Sequence, residues 1–138
     1  MAEVLTSEAW VAAWLQKASH DIETAQRALH AGHPITDTAA YHCHQAVEKA
    51  LKAFLASRSQ PLMKTHDLMD LLTRCTSADI RFADWVDRLA ELAAFGTTQR
   101  YPSVDADPNF GDVAHALQVA EHFHSFVSAV VSGRAPNP

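Results

Sequence analysis

Glycine and proline are scarce in this chain, four and six among 138 residues. No Gly-rich loop of the kind that cradles phosphate can be drawn from so few glycines, and there is no repeat at a fixed period and no low-complexity tract. The two cysteines, Cys43 and Cys75, lie inside helical patterns without CxxC spacing. The start MAEVLTSEAW lacks the basic and apolar regions of a secretory leader, so both read as buried thiols in a reducing cytoplasm. No apolar run approaches the roughly 20 residues needed to span a membrane. Positive charge is short as well. A formal net charge of −5 excludes a protein that coats duplex DNA by counterion release, and leaves room for a local basic patch. Strand-period alternation is missing throughout.

What is present is hydrophobic residue at helical spacing, 48% of the chain against 20% charged, which excludes disorder for most of it. The length is that of one domain, here residues 1–132, followed by a frayed tail at 133–138.

The most informative stretch is AAYHCHQAVEKALKAF, residues 39–54. Ala39, Cys43, Ala46, Val47, Ala50, Leu51 and Phe54 recur every three or four positions and form one wide buried face of a helix. The remaining face reads as a dense polar surface. His42, Gln45, Lys49 and Lys52 follow one another at spacings of three, four and three, and His44, Glu48 and Lys52 at four. Glu48 and Lys52 have the preferred order for a surface ion pair within a helix.

The rest of the chain supplies packing partners. Thr6 or Ser7 caps a first helix over 7–31, whose stripe is Trp10, Trp14, Ala18, Ile22, Ala25 and Leu29 and whose alternate face carries Lys17, Asp21, Glu23, Gln26 and Arg27. Gly32 and Pro34 end it, and helix two begins at Thr36 or Asp37 and runs to Ser57. Thr65 caps a short third helix, with Asp67 in its positive first turn. After a linker at 76–79, Phe82, Trp85, Val86, Leu89, Leu92, Ala93 and Phe95 mark a fourth helix ended by Gly96. A fifth spans 110–132, with Val113, Leu117, Ala120, Phe123, Phe126, Val127 and Val130 inward. The spacing predicts an all-α fold, an up-and-down antiparallel bundle of four long helices plus one short helix.

These residues carry a resemblance. Asp21 and Ala25, the run from Tyr41 to Ala53, Lys64 to Leu68, and Arg100-Tyr101-Pro102 resemble the HEPN family, the higher eukaryote and prokaryote nucleotide-binding domain, in order and over essentially the whole chain. The resemblance implies a helical bundle, commonly a homodimer, that binds nucleotide or RNA. In bacteria it is often encoded beside a minimal nucleotidyltransferase, and some members are toxins of toxin–antitoxin pairs or RNA-cutting enzymes. The enzymatic branch uses Arg, four to six residues, then His on a late helix, where Arg would stabilise the scissile phosphate and His move a proton. Here only Arg27 and His33 have that spacing, and they lie at the end of helix one. No catalytic residue is therefore assigned, and an endoribonuclease toxin is the alternative reading.

For ligand binding, Gln45, Glu48, Lys49 and Lys52, with His66 and Asp67 at a helix start and Arg100 from the late loop, are expected to converge on a phosphate-bearing ligand, with Tyr101 stacking on its base or sugar. The structural alternative is a dimerisation module in which Glu48 pairs Lys52, His66 caps its own helix and Arg100 with Tyr101 staples a loop. Nine histidines raise a metal hypothesis. His42 and His44 point about 200° apart on a helix, however, and His44 with Glu48 supplies two ligands where structural zinc takes four. No metal and no cofactor is expected, and the histidines, including His115, His122 and His124, are expected to be exposed.

Overall fold

The computed structural model describes residues 6–62, 64–95, 102 and 106–136. Its helices are α1 (Ser7–Leu29), α2 (Thr36–Ser57), α3 (Leu68–Ala78), α4 (Val86–Ala93) and α5 (Phe110–Val131), with a 3-10 segment, Ile80–Trp85, leading directly into α4. Taken with that segment, α4 is the fourth long helical run beside the short α3, and no strand occurs among the described residues. No helix among them is long and apolar enough to cross a membrane.

The starts of α1, α3 and α5 follow from a side chain that accepts a free backbone N–H, whereas α2 and α4 begin without a side-chain cap. Thr6 Oγ1 accepts from Ala9 at 3.1 Å, with Glu8 in the positive first turn. Asn109 Oδ1 accepts from the Asp112 N–H at 2.8 Å. The cap of α3 is Asp67, which accepts from Met69 and Asp70 at 3.0 and 3.2 Å, and Thr65 instead holds the Asp67 N–H at 3.1 Å. The expected order is thus shifted by two residues, because an Asp in extended backbone caps as well as a Thr. Asp79 caps the 3-10 segment and binds the Arg81 guanidinium, which holds its carboxyl below the ordinary carboxylate value. Helix α5 closes with Gly133 in left-handed backbone, φ 72°, where the Arg134 N–H reaches the Ala129 carbonyl.

Helix α2 is the axis of the bundle. Thirteen of its 22 residues are buried, too many for one face, and it packs against α1, α3, α4 and α5. Alanine explains how α1 comes so close: Ala18, Ala25 and Ala28 meet a helix that carries Ala39, Ala46, Ala50 and Ala53. On the other side the space is filled by rings. Phe54 of α2 lies 4.4 Å from Phe82, which stands edge-on to Phe126 at 5.0 Å, and Trp85 meets Phe123 at 4.9 Å. Two apolar expectations fail at the surface: Val86 is 42% exposed and Trp10 39%.

Cys43 and Cys75 are buried and unpaired in a disulfide, and burial pushes both thiols up from 9.0 to about 12, Glu121 adding to the effect at Cys43. Phe82→Ala should cost about 3–5 kcal/mol in urea unfolding, since it empties a site no other side chain can reach. Thiol reagent at pH 8 should modify neither cysteine until the chain unfolds. Above pH 9 the unfolded chain loses thiol protons that the folded chain keeps, so stability should fall as pH rises. Rapid labelling of the native protein would refute the burial of these thiols.

Candidate functional site

Two rows of polar side chains leave α2, and both end on a buried carboxylate. His42 and Lys49 are seven residues apart, two helical turns, so they face α1 together. There they meet Asp21, which is only 6% exposed. His42 Nδ1–H donates to Oδ1 at 2.7 Å and Lys49 Nζ to Oδ2 at 2.6 Å, so each carboxylate oxygen has its own donor. Both donors are half-buried, with one side of each open to solvent.

The second row is His44, Glu48 and Lys52. Glu48 is 3% exposed and Lys52 7%, and they pair at 3.1 Å. From the loop before α3, His66 Nδ1–H reaches the same carboxylate, 3.1 Å from Oε2 and 3.2 Å from Oε1. His66 itself stays open to solvent. Lys52 Nζ also lies 5.5 Å from the centre of the Trp14 ring, a cation–π contact that offsets part of the cost of burying it. Beside it opens a cleft of about 190 Å³ lined by Trp10, Trp14, Lys52 and Leu62, with the two indoles stacked 6.3 Å apart.

The polar face expected to be solvated is therefore mostly internal. His44, Glu48 and Lys52 are buried, Glu48 beneath His66 of the segment before α3 and Lys52 against Trp14 of α1. His66 does not cap its own helix; Asp67 does, and that carboxylate faces backbone N–H groups. Gln45, Lys49 and His66 keep open surface. The expected partners Arg100 and Tyr101 lie outside the described residues. Among the described residues no three His, Cys, Asp or Glu side chains are grouped so as to hold a metal ion.

Asp21 and His42 complete the site, and sequence reasoning left both off it. Asp21 belongs to the buried face of α1 and not to the alternate face: Trp14, Ala18, Asp21, Ala25 and Ala28 step by four, three, four and three. A carboxylate in the register of an apolar stripe was the available signal, and it calls for a cation on the facing helix. Arg27, by contrast, forms an exposed pair with Glu23 at 2.8 Å, and His33 is exposed beyond the helix. That pair builds no catalytic centre.

A HEPN domain model matches residues 11–130. The fold is similar to that of TT1696 from Thermus thermophilus, at 26% identity and TM-score 0.70 over 86% of this chain and 95% of that one. It is also similar to ST0689, an archaeal HEPN homologue, at 24% identity and TM-score 0.68 over 88% and 97%. No curated protein matches the sequence.

Removing one member of the Asp21 network should cost more than removing two. Lys49→Met leaves a buried carboxylate with His42 alone, an expected loss of about 1–3 kcal/mol. Asp21→Asn in the Lys49→Met background should restore part of it, because the uncompensated charge is gone. Additive losses in urea unfolding would show that the pair is not coupled.

Proposed function

Because the chain belongs to the HEPN family, we propose that it binds a nucleotide or RNA through the polar cleft beside α2, as a homodimer working with a minimal nucleotidyltransferase in the cytoplasm. The observation that carries this reading is the way two buried carboxylates aim donors outward. Asp21 takes one of the three N–H bonds of Lys49 and one ring nitrogen of His42, and Glu48 takes one ring nitrogen of His66. Two further N–H bonds of Lys49 and the second ring nitrogens of His42 and His66 stand on half-buried or exposed side chains, with the Gln45 amide between His42 and Lys49 on the same side of the helix. Cationic and neutral donors held at fixed orientation suit phosphate oxygens, since little side-chain freedom is lost on binding. The cleft at Trp10 and Trp14 adds two aromatic faces close to Lys52, room for one planar ring. That gives the stacking role expected of Tyr101 a second candidate.

One observation favours a second reading, a dimerisation module. Both carboxylates are compensated within the chain, so the network closes without a ligand. Sequence and geometry give the endoribonuclease alternative no comparable support, as Arg27 is paired at the surface.

Titration calorimetry against a nucleotide panel and a short single-stranded RNA, with the RNA examined afterwards, separates the three. Under the binding reading, heat saturates, the RNA stays intact, and Gln45→Ala lowers affinity by about tenfold with little change in melting temperature. Cleaved RNA would support the enzyme. No heat, together with a concentration-dependent dimer in sedimentation, would leave the module alone.

A further inference from the structure

Sixteen acidic side chains in 138 residues give the chain its negative charge, yet one groove combines two arginines and two histidines with no acid among the described residues lining it. It lies between Trp85 with Arg88, at the start of α4, and the second half of α5 with the turn after it, and encloses about 540 Å³. Arg88, Arg134, His122 and His124 line it, with the Ser125 hydroxyl. It shares no residue with the cleft beside α2.

Two of its groups are held in place from behind. The Arg88 guanidinium stacks on the Trp85 ring, 3.7 Å from its centre, a contact that fixes its plane and leaves its N–H edge for an acceptor. The nearest protein acceptor is the Asp84 carbonyl, at 3.4 Å. His124 Nε2–H donates to the Leu15 carbonyl of α1 at 3.1 Å, which sets the ring orientation and leaves Nδ1 on the other side. In the α2 site every lysine is matched by a carboxylate. Here Arg88 rests on an indole, which lends no negative charge, and no ion pair of Arg88 occurs among the described residues, although Asp84, Asp87 and Glu91 stand nearby on the same helical run.

We propose that this groove binds a phosphate group, Arg88 taking two of its oxygens and Arg134, His122 and the Ser125 hydroxyl surrounding it. Two arginines, imidazoles and a hydroxyl, with no acid among the described residues of the lining, suit an anion, and guanidinium geometry matches phosphate. The volume admits a diphosphate or a short run of phosphodiester. The groove gives the family member a second phosphate contact, independent of whether the α2 cleft binds anything.

The test follows the side-chain NMR signals of Arg88 and His122 in the full chain during titration with inorganic pyrophosphate and, separately, with a short single-stranded oligoribonucleotide. Saturable shifts with pyrophosphate support a free phosphate ligand; shifts with the oligoribonucleotide alone support a polymer backbone. In either case Arg88→Gln should weaken binding by about tenfold or more. Arg27→Gln, the same loss of charge outside the groove, should change it little. Should Arg88→Gln disturb Trp85, Arg134→Gln reports the same contact without touching the indole. The proposal is overturned if neither probe shifts the groove signals, if both arginine variants bind as tightly as the parent, or if the probes shift Lys49 and His66 only. That last result would sustain the α2 reading and remove this one.

Discussion

Helix α2 has almost no face left for water, and so the charges on it must be answered by other parts of the chain. Burying an ion costs several kcal/mol unless an opposite charge and further hydrogen bonds meet it. Asp21 from α1 answers Lys49, and Glu48 answers Lys52 within the helix and His66 from the loop before α3. These contacts fix more than charge. Asp21 sets how α1 is rotated against α2, and His66 sets where the chain returns after its first hairpin. Alanines at the α1 seam permit the close approach of α1 that makes the Asp21 contacts short.

The same constraint shapes the surface. A lysine whose charge is balanced keeps its donors but loses much of its long-range field, so the α2 cleft offers orientation more than attraction. The groove at α4 and α5 is the reverse case, with Arg88 resting on an aromatic face that orients it without neutralising it. A phosphate-bearing ligand would find directed hydrogen bonds at one and net positive charge at the other. An acidic chain reads, from its overall balance, as a poor partner for anions. Local placement decides otherwise.

The five helices were legible because their apolar residues repeat at three and four positions, and polar caps stand at the starts of α1, α3 and α5. The aromatic core was legible for the same reason, with Phe82, Trp85, Phe123 and Phe126 all on predicted inward faces. Less legible was the break of the fourth helix into a 3-10 segment and α4, whose 3-10 start is set by Asp79 holding both the Arg81 backbone and its guanidinium. Of the expected site, Glu48, Lys49, Lys52 and His66 come together around two carboxylates, whereas Asp67 is spent on its own helix.

By itself the sequence determined the fold class and the approximate bounds of α1, α2 and α5, because these rest on apolar periodicity and on turn residues, which act between positions close in the chain, and its motif residues carried the resemblance to the family. Tertiary structure alone decided which polar residues are inside. Asp21 and Lys49 are 28 positions apart and His124 meets a carbonyl 109 positions away. Whether a Glu or Lys on a helix faces water or a neighbour is a property of what packs against it, and a helix wheel drawn for α2 alone contains no α1.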